Sequence, residues 1–375
     1  MIYLDNAATT PIAPEVYEAM LPYLKEFYGN PASKHYALAE KSAQAVKEAR
    51  EKVAALVGAN PSEIIFTSSA SESNNFIIKG VADQLTRRHL ITTVAEHSSS
   101  LGAFKYLETK GYEVTYLSID STAQISLEEL RSAIRTDTGL ISINWVNNEV
   151  GTIAPVADVI AMAKEQGIAV HLDATQAVGK LPVDVRALGV DYLSFSAHKI
   201  YGPKGIAAAF ISEKAPIKKP TPLIHGGGQE NDLRAGTLNV AGIVGFGVAC
   251  SLLMDSQNKY RRHLQELDEA ARQGLHGHHV RINGSKEQGV PGLISATIAG
   301  ANNEILLRRL AQQVCASTGS ACSSAAPSEV LLAMGIPPSE VKCTIRLSFG
   351  RFNSVADVIN VVGSLIGEAD RIRLI

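Results

Sequence analysis

Residues 139–173 decide the fold: GLISINWV (139–146), then PVADVIAMAKEQ (155–166), then IAVHLD (168–173). The outer pieces are short and rich in β-branched residues, and their apolar positions do not simply alternate. Strands covered by helices on both faces read this way. The middle piece is amphipathic and opens on Pro155, which suits a first helical turn. Strand, helix and strand in close succession make a βαβ unit, and that unit implies parallel pairing.

The same texture extends outward from about Ile64 to Ile211. Strand candidates are Glu63–Thr67, Leu90–Ala95, Glu113–Ile119, Gly139–Val146, Ile168–Asp173, Tyr192–Ser196 and Ile206–Ile211. The fold class is therefore α/β, with a mostly parallel seven-stranded sheet covered by helices. After Met254 the pattern changes. A charged helical stretch, Lys259–Gln273, precedes short strands at Leu293–Ala299 and Thr344–Ser348 and helices at Asn303–Gln312 and Val355–Ile366. This reads as a smaller α+β domain joined by the N-terminal dozen residues. The expected division is 13–254 for the large domain, with 1–12 and 255–375 for the small one.

The chain has 375 residues, 46% of them hydrophobic and 19% charged, enough apolar material for a sizeable core. Net charge is −2 and the charges are interspersed, which argues against a nucleic-acid or anionic-membrane footprint. Four cysteines at this length make no disulfide scaffold and show no paired zinc spacing. The start, MIYLDNAATT, lacks a signal-peptide pattern. The longest apolar run, Val240–Met254, falls short of the roughly 18 residues that span a bilayer. A cytoplasmic protein is expected.

Ligands of open α/β sheets bind at the carboxyl ends of the strands. Here those ends carry Ser68, Ser69 and Ser71 at a helix start, then His97, Asn148, Asp173 with Gln176, and Ser196-Ala197-His198-Lys199. Each alone has a structural explanation, as a helix cap, a satisfied core ring or a solvated cation. Five such ends together do not, because each buried unpaired polar group costs roughly 1–3 kcal/mol. As a set they suit a phosphorylated aldehyde cofactor. Lys199 can form an imine, and Asp173 can keep a pyridine nitrogen protonated so that the ring withdraws electrons. Gln176 can donate to the ring phenolate, Ser71, Ser196 and His198 can hold a phosphate, and His97 can cover a ring face.

The sequence resembles the cysteine desulfurases of the nitrogen-fixation and iron–sulfur-cluster-assembly type, members of the class-V, fold type I group of pyridoxal-phosphate enzymes. The likeness runs nearly end to end: YLDNAATT (3–10), GNPASKH (29–35), FTSSASESNN (66–75), AEHSS (95–99), NNEVGT (147–152), HLDATQAVGK (171–180), SFSAHKIYGPKG (194–205), GGGQENDLRAGTLNVAGIVGFG (226–247), STGSACSS (317–324) and IRLSFGRFN (345–353). It implies an aminotransferase-like fold and pyridoxal 5'-phosphate as cofactor. Lys199 would bond the cofactor aldehyde, Asp173 would pair with the ring nitrogen and Gln176 with the phenolic oxygen. His97 would stack on the ring and share in proton transfer. Ala70, Ser71, Ser196 and His198 would bind the phosphate, and Thr237 would reach the phosphate of a neighbouring subunit in a homodimer. Asn148 would lie near phenolate and substrate, Arg346 would grip the L-cysteine carboxylate, and Cys322 would accept the sulfur as a persulfide. The freed Lys199 amine would remove the Cα proton, and alanine would leave.

Cys322 also stands apart without the resemblance, because its Gly/Ser/Ala-rich surroundings suit an exposed loop rather than a core. Cys250, Cys315 and Cys343 read as small buried hydrophobes. Ser69 stands where the family usually has glycine, which would strain a backbone needing positive φ. Ser71 stands where threonine is usual. A short segment between Cys322 and Arg346, and an end soon after Asn353, bear on which sulfur-acceptor protein is served; an iron–sulfur scaffold is the first candidate. The alternatives are a selenocysteine lyase, another fold type I enzyme or a non-catalytic sulfur-relay scaffold. Retention of Lys199 and Asp173 argues against the last.

Overall fold

In the computed structural model, which describes residues 1–318 and 327–374, residues 139–173 fold as a strand–helix–strand unit. The chain opens with β1 (Ile2–Tyr3), α1 (Pro14–Lys25) and α2 (Ala37–Val57). The large sheet follows as β2 (Ile64–Thr67), β3 (His89–Thr93), β4 (Glu113–Leu117), β5 (Thr138–Asn144), β6 (Ala169–Asp173), β7 (Tyr192–Ser196) and β8 (Ala207–Ile211). Its crossovers are α3 (Ala70–Ala82), α4 (Ser98–Glu108), α5 (Leu127–Ala133), α6 (Val156–Glu165) and α7 (Val185–Leu188). In space the strands run β2-β8-β7-β6-β5-β3-β4. Those from β3 to β7 pair in parallel, while β8 is antiparallel to both its neighbours. Since β2 and β7 both oppose β8, the carboxyl ends of β2, β3, β5, β6 and β7 all emerge at one edge of the sheet.

A single helix, α8 (Val240–Leu275), covers both the apolar run at 240–254 and the charged stretch at 259–273. Between Gly247 and Gly274 there is no glycine or proline to stop it. Ile243, Phe246 and Leu253 on its first half lie in the core of the large sheet. Leu264, Leu267 and Leu275 on its second half lie in a separate core with β10 (Leu293–Ile298) and β12 (Thr344–Ser348), formed after β9 (Val280–Asn283). By length and composition alone this longer helix could cross a bilayer, yet half of its most apolar window is buried inside the protein. The rest of this region comprises α9 (Asn303–Arg309), β11 (Val314–Cys315), α10 (Glu329–Ala333), α11 (Pro338–Val341) and α12 (Val355–Arg373). The sheet order is β12-β10-β9, antiparallel throughout, and β1 pairs in parallel with β11. Helix α12 starts on a reciprocal cap between Ser354 and Asp357.

Cys250 is buried as expected, and burial pushes its thiol well above the ordinary range. Cys315 and Cys343 are half-exposed, not buried. Each sits at the end of a short element, Cys315 on the two-residue β11 and Cys343 just before β12, where little can cover it.

Helices α2 and α8 approach closely because Gly247 faces Ala49: a Cβ at Gly247 would lie 2.7 Å from Ala49 Cα. Strand β2 is the sheet edge, and its open polar groups are covered by one ion pair. Glu230 accepts from the Phe66 amide at 2.7 Å and Arg50 donates to the Ile64 carbonyl at 2.6 Å, while the two side chains join at 2.5 and 2.8 Å. Deep in the sheet, the His171 ring on β6 lies between Ser142 Oγ on β5 at 2.8 Å and Ser194 Oγ on β7 at 2.9 Å. Burial brings its imidazole down to about 4, so it stays neutral.

Gly247→Val should cost about 1–3 kcal/mol by forcing α2 and α8 apart, lowering the urea midpoint at unchanged slope. A wild-type midpoint would refute the close-contact argument. Unfolded, His171 would take up a proton near its ordinary 6.5, but folded it does so only near 4. It therefore contributes stability above that window that is lost as pH falls through it. His171→Gln should show a shallower fall in urea midpoint from pH 7 to pH 5 than wild type; parallel falls would rule His171 out as the cause.

Candidate active site

Asp173 ends β6, and its carboxylate is buried. One oxygen accepts from Asn74 Nδ2 at 2.7 Å and the other from the Thr175 amide at 3.0 Å. The same Asn74 amide group donates to Ser99 Oγ at 2.9 Å, and Ser99 Oγ lies 2.8 Å from His97 Nδ1. His97 Nδ1 also accepts from the Ser99 backbone N–H at 3.1 Å, so this nitrogen carries no proton and a neutral ring is protonated at Nε2. A hydrogen-bonded chain thus runs from His97 through Ser99 and Asn74 to Asp173. It is built by the N-terminal parts of α3 and α4, the helices that follow β2 and β3. A carboxylate has about four lone-pair positions, so two donors leave capacity for another N–H.

Lys199 lies at the end of a short 3-10 turn after β7, the strand next to β6. Its Nζ donates to the carbonyls of Ala7 at 2.5 Å and Ala8 at 2.8 Å, in the N-terminal segment. Two residues on, Tyr201 holds a left-handed φ of 67°, a strained conformation for a bulky residue. Three bonds fix it there: its N–H donates to Thr10 Oγ1, and its hydroxyl bonds Tyr260 and accepts from the Arg351 amide.

Ala70 and Ser71 form the first turn of α3, a thirteen-residue helix whose free amides favour an anion. Ser69 is its N-cap and accepts from the Glu72 amide at 3.2 Å. Its φ is −164°, extended backbone open to any residue, so the strain expected at this serine is absent. Ser196 is buried at the end of β7 and His198 is half-buried two residues on. Burial, followed by the nearby charges of Lys199 and Lys204, brings the His198 imidazole down to about 4, leaving it neutral at pH 7. Thr237 is exposed, in a stretch tied down by Glu230 to Arg50 and by Arg234 to Glu72.

Arg346, on β12, is almost fully buried and ion-paired with Asp5 at 2.9 Å. It also donates to the Asn148 backbone carbonyl at 2.8 Å, which brings β12, the segment after β5 and the N-terminus together. Its Nε is buried without a partner among the described residues. Gln176 is buried one turn after Asp173 and donates to the Ala7 carbonyl at 2.8 Å, the same oxygen that Lys199 uses.

Cys322 lies outside the described residues. The chain on either side of it is anchored at the site: Ser317 pairs backbone to backbone with Arg346, and Ser328 donates to the Glu149 carboxylate.

Sequence reasoning singled out neither Asn74, Ser99 and Asp5 nor two buried ionisable groups, Glu96 and Lys180. Asn74 had a usable signal, a polar residue on the face of α3 that otherwise buries Phe76, Ile77 and Ile78. Glu96 accepts from Thr93 Oγ1 at 2.8 Å and the Asn144 amide at 3.0 Å, and burial raises its carboxyl to about 8.

Known proteins resemble this chain along nearly its whole length. Residues 2–361 match the profile of the family described as aminotransferase class-V. The chain is 44% identical to a protein named cysteine desulfurase IscS from Dictyoglomus turgidum, over all of this chain and 96% of that one. It is 43% identical to a mitochondrial cysteine desulfurase from Arthroderma benhamiae, over 96% of this chain and 73% of that one. Among solved structures, one called a NifS-like protein superposes with a TM-score of 0.92 at 37% identity and covers 99% of both chains. The chain belongs to the class-V aminotransferase family and, within it, to the cysteine desulfurases.

Proposed function

We propose that this cysteine desulfurase binds pyridoxal 5'-phosphate between Asp173 and Lys199 and passes the sulfur of L-cysteine to Cys322. The observation that carries this reading is the buried Asp173 carboxylate, joined through Asn74 and Ser99 to His97 and lying one strand from Lys199. The residues fit the cofactor. Asp173 has lone pairs to spare for a protonated ring nitrogen, Thr175 Oγ1 is buried without a partner among the described residues, and the α3 N-terminus with Ser71, Ser196 and His198 suits a phosphate. When bound there, the cofactor supplies an electron sink that acidifies the substrate Cα–H and weakens its Cβ–S bond.

The chain's own groups do the rest. Arg346 holds the substrate carboxylate, while Asp5 and the Asn148 carbonyl fix the guanidinium plane. Asn148 borders substrate and ring. The Lys199 amine takes the Cα proton, and His97 Nε2 exchanges a proton with the substrate thiol. The Cys322 thiolate then bonds to the substrate sulfur as the Cβ–S bond breaks. That bonding pair stays on carbon, which is protonated and leaves as alanine.

On this reading residues 13–254 form the cofactor-binding domain, and 1–12 with 255–375 form the domain that bears the acceptor segment. The protein works as a homodimer in the cytoplasm, with Thr237 reaching the neighbouring subunit's phosphate. Exposed Tyr17, Leu24 and Tyr28 on and just after α1 support an unpartnered surface. The persulfide passes to an acceptor protein, for which an iron–sulfur scaffold is the first candidate.

Lys199→Ala should abolish the visible absorbance of protein loaded with pyridoxal phosphate, and an unchanged spectrum would refute the assignment. Cys322→Ser should keep that band yet lower alanine release from cysteine by at least about a thousandfold. Turnover at the wild-type rate would show that sulfur takes another route.

A further inference from the structure

Lys180 is buried behind the site, and neither the sequence motifs nor the chemistry above gives it a role. Its ammonium makes two hydrogen bonds among the described residues, and both end on Gln176, to Oε1 at 2.9 Å and to the backbone carbonyl at 3.4 Å. The turn after β6 makes this possible. Two successive turns follow the strand, with the amides of Val178 and Leu181 bonding back to Ala174 and Ala177, and they return Lys180 to Gln176. Gly179, at φ +93°, lets the turn tuck against Ile200; a Cβ there would sit 2.8 Å from Ile200 Cγ2.

A side-chain amide can bind with either end, and which end it presents is set by its partners. An ammonium has only donors, so Lys180 holds Oε1 of Gln176 on its own side. Nε2 is thereby turned the other way, with one hydrogen on the Ala7 carbonyl and a second that has no acceptor among the described residues. Ala7 O also receives Lys199 Nζ, so Lys180, Gln176 and Lys199 form one connected hydrogen-bond chain.

We propose that Lys180 is a positioning residue that locks the Gln176 amide with its donor toward the phenolic oxygen of the bound cofactor and so sets the proton affinity of the Lys199 linkage. This rests on the cofactor reading above. Two effects act in one direction. The Nε2 donor stabilises the ionised phenolic oxygen, and the positive charge of Lys180 disfavours a further proton nearby. The charged groups near Lys180 are Lys199 and Arg346, both cations. With burial as the larger cause, they bring its ammonium down to about 7, so its charge varies within the neutral range.

The test is a pH titration of the visible absorbance of protein loaded with pyridoxal phosphate, without substrate. Lys180→Met should raise the midpoint by about one pH unit, a tenfold gain in proton affinity. Lys180→Gln, which keeps a donor but no charge, should raise it less, and this variant carries the test if the methionine protein does not fold. In a Gln176→Met background the Lys180→Met step should move the midpoint by less than half as much. A coloured Lys180 variant with the wild-type midpoint overturns the proposal, and so does a full-sized step in the Gln176→Met background. Wild-type protein that stays colourless with pyridoxal phosphate would instead defeat the cofactor reading itself.

Discussion

A carboxylate buried at the end of a central strand is the constraint around which this structure is organised. Removing Asp173 from water costs several kcal/mol unless its oxygens are satisfied. The fold meets that demand locally, with the Thr175 amide two residues beyond the strand end and the Asn74 side chain from α3. Asn74 in turn needs a partner for its second hydrogen, and Ser99 at the start of α4 provides it. Two crossover helices are thus fixed relative to the strand end, and His97, as the N-cap of α4, is oriented by the same contacts. The parallel sheet makes this geometry available by delivering strand ends and helix starts to one edge.

Much of the large sheet was legible because its strands are short, β-branched and bounded by helical patterns. The residues at strand ends could be nominated for the same reason, since Asp173, Ser196 and Lys199 follow their strands directly. What the sequence hid falls into two kinds. One is the supporting residue whose partner comes from far along the chain, such as Asp5 on Arg346 or the Ala7 carbonyl on both Gln176 and Lys199. No periodicity reports that a backbone carbonyl of the first ten residues will meet a lysine near residue 200. The other is the join between elements. The change in composition at Met254 suggested an interruption, yet helix propensity is indifferent to whether a helix's exposed face is apolar or charged, and α8 runs on.

The N-terminal segment shows how small a piece of chain can carry many obligations. Within residues 3–10 it pairs with β11 through β1, ion-pairs Arg346, supplies two carbonyls to Lys199 and offers Thr10 to the Tyr201 amide. At Ser69 the reverse holds, since a residue that departs from the family's usual glycine is accommodated without strain. Its backbone is extended, and its hydroxyl caps the helix that a glycine would leave uncapped.

Helix α8 has a consequence that reaches beyond packing. About 54 Å of continuous helix at 1.5 Å per residue is a stiff strut, and each end is embedded in a different hydrophobic core. Two hydrophobic cores mounted on one strut can change their separation only if that helix bends or breaks. The same strut ties the two cores to a common fate, for melting either one strips the apolar face of a helix the other still needs.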